Sequence, residues 1–191
     1  MAAEGRRLAG VVLNVGAGED LRTFGSRTVR LDRHAPAATV RADIAATLPF
    51  VDRAFDAAVC TEVLEHVPSP ALVLREIARV VKPGAVLLVT MPFFFHYHPD
   101  PEDYSRLTPT GLQLELERAG FRVEFIAGLG GRFIAAAMLA ESTHSLSKLI
   151  VRTMLLPFRV LLASRRPVDG RWSDCAANIV AIARARTDAD R

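Results

Sequence analysis

Two stretches of this chain carry side chains whose types and spacing could do chemistry. The first runs from Pro92 to Thr108 and reads PFFFHYHPDPEDYSRLT. His96 and His98 can each titrate near neutral pH and act as a general base. Asp100, Asp103, Tyr104 and Arg106 add hydrogen-bonding groups, with Tyr104 a further candidate for handling a proton. The plainer alternative is that Asp103, Tyr104 and Arg106 staple the loop to a following helix. A metal held by His96, His98 and an aspartate is a minor alternative. Cys60 and Cys175 form no CxxC unit, so no metal site or disulfide framework is expected.

The second stretch is VLNVGAGED, residues 12–20. Gly16 and Gly18 follow an apolar, β-branched run. Without a Cβ they let a backbone approach a nucleotide-like ligand closely. The dinucleotide fingerprint wants a third glycine or alanine where this chain has Leu21, which argues against a nicotinamide or flavin site. Asp32 ends the next apolar run, where a carboxylate can accept from both hydroxyls of a ribose. Asp43 ends the one after it. Its carboxylate can accept from an adenine amino group while the Ile44 amide faces a ring nitrogen. Each acid alone could be a turn or surface-pair residue. At three consecutive strand ends they describe an adenosine site.

The elements that must hold these groups follow from hydrophobic periodicity. Strands are expected at 11–15, 28–31, 40–42, 55–60, 85–90, 121–126 and 176–183, with a short helix at 19–24. Ser69 can N-cap a helix running through Val81, with Pro70 at its first position and Pro83-Gly84 as its stop. Thr108 can cap a helix over 109–119 that Gly120 ends. Strands alternating with helices imply a parallel sheet with helices on both faces. Ligands of such sheets bind beyond the carboxyl ends of the strands, where every residue singled out above lies.

The run LPFVDRAFDAAVCTEVLEHVPSPALVLREIARVVKPGAVLLVTMPF resembles the core of the class I S-adenosylmethionine-dependent methyltransferases, in the branch with LEH after strand four. The resemblance covers about residues 11–126. Its most specific piece is FDAAVCTEVLEHV followed by a helix and VKPGAVLLVTMP. It implies a Rossmann-like α/β fold with a seven-stranded sheet in the order 3-2-1-4-5-7-6, strand seven antiparallel. It implies S-adenosyl-L-methionine as cofactor, with Asn14, Gly16 and Gly18 beside it, Asp32 on the ribose, and Asp43 and Ile44 on the adenine. Thr61 and Glu62 would line the methionine end. Asn14 stands where most members carry an acid, and Glu19 where a third glycine is frequent. The loop with His96 and His98 is similar to that of methyltransferases of polysaccharide and natural-product pathways. The implied reaction is methyl transfer to a small-molecule acceptor, a hydroxyl of a sugar, lipid-linked or natural-product substrate.

The bulk numbers fit one domain over 1–191, with a helical insertion at 127–168 between the last two strands. Hydrophobic residues make up 50% and charged residues 24%, near globular averages. The formal charge is +3, and the basic residues are almost all arginine, with Lys82 and Lys148 the only lysines. Acids are interleaved nearly everywhere, and Cys60-Thr61-Glu62-Val63 stands where amino methyltransferases of nucleic acids show an Asn/Asp-Pro-Pro-aromatic motif. Both features disfavour a nucleic-acid substrate. Residues 131–166 are apolar but broken by charge and by Pro157. They suit packing on the sheet, an oligomer interface or a peripheral membrane contact. The N-terminus lacks an apolar signal segment, so a cytoplasmic location, with or without membrane contact, is expected. Two other classes stand against this reading. One is a catalytically silent methyltransferase-like binding subunit. The other is a short-chain NAD(P)-dependent oxidoreductase, whose Tyr-x-x-x-Lys pair the chain lacks.

Overall fold

The structure is a computed structural model, and it describes residues 8–99, 101–130, 176–187 and 189. Seven strands form one sheet: β1 Val11–Val15, β2 Arg27–Asp32, β3 Val40–Arg41, β4 Phe55–Thr61, β5 Val81–Pro92, β6 Phe121–Leu129 and β7 Asn178–Ala185. Their order is β3-β2-β1-β4-β5-β7-β6. Strands β1 to β5 pair in parallel, while β7 runs antiparallel to both β5 and β6. The expected topology is therefore present.

The strands alternate with period two between the faces of the sheet. Leu13, Val15, Ala58, Cys60, Leu87, Val89, Ile179 and Ala181 point to one face. Two helices cover it. Helix α1, Pro70–Val80, brings Val73, Leu74, Ile77 and Val80, and α2, Pro109–Arg118, brings Leu112 and Leu116. Full burial of each such side chain contributes roughly 1.5–3 kcal/mol. Val12, Ala57, Val59, Leu88 and Ile182 form the second face, against which Leu8 and Phe24 pack. Helices were expected on both faces. Among the described residues both lie on the first.

Several local expectations change. Residues 19–24 form no helix. Arg30 takes over their backbone carbonyls, donating to the oxygens of Asp20, Leu21 and Arg22. Asp20 in turn folds back onto the Arg22 amide and guanidinium. Side chains thus satisfy the groups that a helix would have paired internally. Thr108 caps α2 as expected, accepting from the Gly111 amide at 3.0 Å. Ser69 makes no side-chain cap. Its carbonyl takes the Leu72 and Val73 amides, and Pro70 has already removed one orphan donor. Helix α1 stops at Val80 rather than Val81. Lys82 precedes Pro83 and is pushed towards extended backbone, so β5 begins at once. Strand β6 runs on to Leu129, so 127–129 belong to the sheet and not to the insertion. Residues 131–168 of that segment, including the proposed membrane or oligomer contact at 131–166, lie outside the described residues, as does Asp100. Among the described residues no helix is long and apolar enough to cross a membrane.

One side chain ties helix α1 to the loop behind the third strand. Arg79 donates to the carbonyls of Leu48 and Phe50 and to the carboxylates of Asp52 and Glu76. Glu76 also accepts the Leu48 amide at 2.8 Å. Arg79→Ala strands two carbonyls and two acids together. We expect a loss of about 1–3 kcal/mol in urea unfolding. A variant as stable as the parent would show that this network adds nothing.

Candidate functional site

The carboxyl ends of the parallel strands open into a cleft of about 530 Å³. That lies in the range of roughly 300–1,000 Å³ typical of small-molecule sites. Gly16 and Gly18 after β1, Asp32 to His34 after β2, and Asp43 to Ala45 after β3 form one end. Glu62, Val63 and His66 after β4, with Pro101, Glu102 and Tyr104 from the loop after β5, form the other.

The two glycines serve different ends. Both have positive φ, +62° at Gly16 and +51° at Gly18. A Cβ on Gly16 would lie 2.6 Å from Val63 Cγ2, so this glycine lets the first turn pack on the turn after β4. A Cβ on Gly18 would meet nothing within 4 Å and would enter open space. Gly18 is therefore the position where backbone can touch a ligand. Beneath this turn Asn14 is 1% exposed, and neither polar atom of its side chain has a hydrogen bond of ordinary length. The amide is still close enough to Asp20 to help lower that carboxyl, after the larger effect of Arg22.

Asp32 is more occupied than sequence suggested. Oδ2 accepts the Gly18 amide at 2.8 Å, and Oδ1 accepts the amides of His34 and Ala35 at 2.8 and 2.9 Å. Burial alone would raise its pKa, but the three N–H groups outweigh that and hold it below the ordinary value. A carboxylate offers about four lone-pair sites, so one acceptor position remains. Asp43 accepts the Ala45 amide at 2.9 Å and pairs with Arg33 at 3.2 Å. That pair is well exposed and of little worth, so a ligand can displace it. Ile44 lies beside it on the cleft wall.

The turn after β4 is strained on purpose. Glu62 adopts φ +54°, which a side-chain-bearing residue rarely does. Its amide donates to the Thr90 carbonyl at 3.0 Å. Its carboxylate accepts from Thr90 Oγ1 at 2.6 Å and Asn178 Nδ2 at 2.8 Å. Thr61 ends β4 one residue earlier, paired with Thr90, and is not on the cleft wall.

Next comes a single 3-10 turn, Leu64–His66, which meets the loop after β5. The Tyr104 amide donates to the Glu65 carbonyl at 2.7 Å, and His66 Nδ1 bonds the Glu102 carbonyl. A carbonyl only accepts, so Nδ1 carries the proton. Asp103 accepts the His98 amide at 3.0 Å and both terminal nitrogens of Arg106, which holds its carboxyl down at about 2. Arg106 also donates to the His96 carbonyl. Asp103 and Arg106 thus tie the loop to itself, and the Tyr104 amide ties it to the turn after β4, where the plainer expectation had all three bind the following helix. Of the proton-handling candidates, Tyr104 lines the cleft and is half-exposed. His96 stacks on Phe95, and His98 sits behind His66 with ring centroids 5.0 Å apart. Neither is on the cleft wall. Sequence reasoning passed over Arg33 and His34 on that wall, although both directly follow Asp32.

With this geometry in view, the match to known proteins is informative. The model of a family described as a methyltransferase domain matches residues 7–103, just over half of the chain. The chain belongs to this methyltransferase family. The ubiquinone biosynthesis O-methyltransferase of Chromobacterium violaceum is 33% identical over 105 residues, 46% of this chain and 44% of that one. The enzyme of the same name from Ralstonia nicotianae is 30% identical over 147 residues, 71% of this chain and 50% of that one. The chain spans half or less of the length of these curated relatives. A solved S-adenosylmethionine-dependent methyltransferase from Archaeoglobus fulgidus has a TM-score of 0.62 at 18% identity, covering 95% of this chain and 91% of that one, a likeness of fold. S-adenosylmethionine is the cofactor of such methyltransferases. The residues present fit it: a glycine cradle open at Gly18, an acceptor position left on Asp32, and a buried Asn14 amide with no ordinary partner.

The loop staple makes a prediction. Asp103→Ala leaves the Arg106 guanidinium and the His98 amide without their acceptor. The Asp103 side chain is 3% exposed. We expect a loss of about 3 kcal/mol, the low end for a broken buried pair because Arg106 keeps some water contact. Chemical denaturation measures it, and a loss under about 0.5 kcal/mol, the scale of ordinary surface substitutions, would show that the staple is not structural.

Proposed function

We propose that this chain transfers the methyl group of S-adenosylmethionine to a hydroxyl of a small molecule, of the sugar, lipid-linked or natural-product class. The observation that carries this reading is the cleft itself. One end presents Gly18, Asp32, Asp43 and Ile44, matched to an adenosine. The other presents Glu62, His66 and Tyr104, beyond the turn where a sulfonium would stand. Two relatives are named O-methyltransferases, which favours oxygen as the accepting atom.

In this reading Asp32 accepts one ribose hydroxyl while keeping its three backbone amides. Asp43 gives up Arg33 to accept the adenine amino group, and the Ile44 amide faces the ring. The Glu62 carboxylate places a negative charge near the cationic end of the cofactor. The cofactor supplies an activated methyl group. The protein holds the acceptor oxygen in line with the carbon–sulfur bond, and positioning of that kind supplies several kcal/mol of the barrier. The cofactor held there would give up its methyl carbon and keep the carbon–sulfur electron pair as a neutral thioether, while the hydroxyl proton would pass by way of the Tyr104 hydroxyl to solvent. Tyr104 is the candidate on the cleft wall to orient that hydroxyl. His96 and His98 would act on it only after the loop rearranges.

Calorimetry with S-adenosylhomocysteine, followed by a labelled-methyl assay over a panel of sugar, lipid-linked and phenolic alcohols, tests the proposal. Binding without transfer to any acceptor would favour the silent binding subunit. No binding would remove the methyltransferase reading of this site. Within that assay the glycines should separate. We expect Gly18→Ala to weaken S-adenosylhomocysteine at least tenfold while costing about 1–2 kcal/mol of stability for its left-handed backbone. Gly16→Ala should cost more stability, because its Cβ meets Val63. Equal affinity in Gly18→Ala and the parent would refute the cradle. Tyr104→Phe should lower turnover by roughly 10²-fold, within the usual range for a proton-handling group, with cofactor affinity unchanged. Full turnover in that variant would move the role elsewhere.

A further inference from the structure

Behind the cleft wall, beside His66 and His98, lies a carboxylate that the methyl-transfer reading does not use. Glu65 is wholly buried, and neither oxygen of its carboxylate has a hydrogen-bond partner. A buried acid in that state is costly unless a cation or proton meets it. Two histidines stand beside it, and the charges of Glu62 and Arg106 also reach it. His66 Nε2 stands 3.7 Å from Glu65 Oε1, and the His98 ring packs edge-on against His66. One ligand atom from each of Glu65, His66 and His98 can be chosen so that all lie within 4.8 Å of one another.

We propose that Glu65, His66 and His98 bind a divalent transition-metal ion of the zinc class. Three features support it. Two ligands on one tetrahedral zinc, with bonds of about 2.0–2.2 Å, lie roughly 3.4 Å apart. The Glu65–His66 pair is already near that spacing, and side-chain rotation of His98 supplies the remainder. The tautomer is also right. His66 gives its Nδ1 proton to the Glu102 carbonyl, which leaves Nε2 as a bare donor. A ligating histidine is characteristically oriented in this way by a carbonyl or carboxylate behind it. His98 has the Asp103 carboxylate at 3.4 Å from its Nδ1, but Arg106, which only donates, stands 3.3 Å from the same nitrogen, so ligation through Nε2 requires His98 to turn its Nδ1 proton to Asp103. Lastly, the ion would answer the one buried carboxylate among the described residues whose two oxygens are both unpartnered.

Such an ion would join the turn after β4 to the loop after β5 at the wall of the cleft. Two histidines and a carboxylate leave one tetrahedral position for water or another oxygen ligand. The sequence led us to expect no metal. It weighed His96 as a ligand beside His98, whereas the fold turns His96 away and brings Glu65 and His66 to His98 instead. The inference concerns metal binding and stands apart from the identity of the methyl acceptor.

The test is a zinc titration of the chelator-stripped protein, followed calorimetrically, with S-adenosylhomocysteine binding measured on the same sample. We expect one zinc per chain. Glu65→Gln and His98→Ala should each weaken it by at least 100-fold, while His96→Ala should not. Glu65→Gln keeps shape and removes the buried charge. If it fails to fold, His98→Ala on the loop carries the test. No stoichiometric zinc, or zinc held equally by His98→Ala, would overturn the site. A parent protein that takes up no zinc yet binds S-adenosylhomocysteine would refute the metal alone. Zinc bound by a protein that binds no S-adenosylhomocysteine would refute the cofactor reading alone.

Discussion

Glu62 keeps a left-handed backbone because three hydrogen bonds from two strands hold it. Its amide meets β5, and its carboxylate meets Thr90 on β5 and Asn178 at the start of β7. Without those bonds a side-chain-bearing residue would relax from φ +54°, since such strain costs of order 1–3 kcal/mol. The residues that follow depend on it. Val63 packs against Gly16, Glu65 turns inward, and His66 turns to the cleft. The end of β4 is thus a rigid corner, where the glycine turn of β1 and the loop after β5 both lean on one strained residue.

That corner explains why the two halves of the cleft differ in chemical character. The half that carries Gly18, Asp32 and Asp43 is built mostly of backbone amides gathered around two carboxylates. Asp32 alone collects three. Such groups are short and tied to strand ends, so their geometry is set before any ligand arrives. The other half is built of long side chains on a loop. It is held by the Asp103–Arg106 clasp, the Tyr104 amide on Glu65 and the His66 ring on Glu102. Positioning there depends on electrostatics inside the loop rather than on the sheet.

The same division decided what could be read from the sequence. The strands and the three strand-end residues Gly18, Asp32 and Asp43 follow patterns of period two and turn chemistry, which are local, while the strand order was implied by the family resemblance alone. The short helix at 19–24 failed because the carbonyls there are claimed by Arg30, on the next strand, and no window of sequence shows that. His96 and His98 looked equivalent two residues apart. The loop has no regular period, so which of them turns towards His66 is fixed by contacts with Phe95, Asp103 and Arg106. Glu65 was visible as part of Leu64-Glu65-His66, but nothing local says that it is buried without a partner. Gly16 was legible as a turn residue, and only the packing of Val63 shows that it serves the protein more than the ligand.

The antiparallel last strand has a consequence for how such a chain can change. Strand β6 ends at Leu129 and β7 begins at Asn178, and these two residues are paired in the sheet. The Ala177 amide closes on the Leu129 carbonyl at 2.9 Å. The chain thus leaves and rejoins the sheet at one point, beside Pro92 at the end of β5. Closing a longer excursion costs little, since each doubling of a flexible loop adds only about 0.6 kcal/mol. A change in the length of chain between those two residues can therefore leave the strand pairing and the amides around Asp32 as they are.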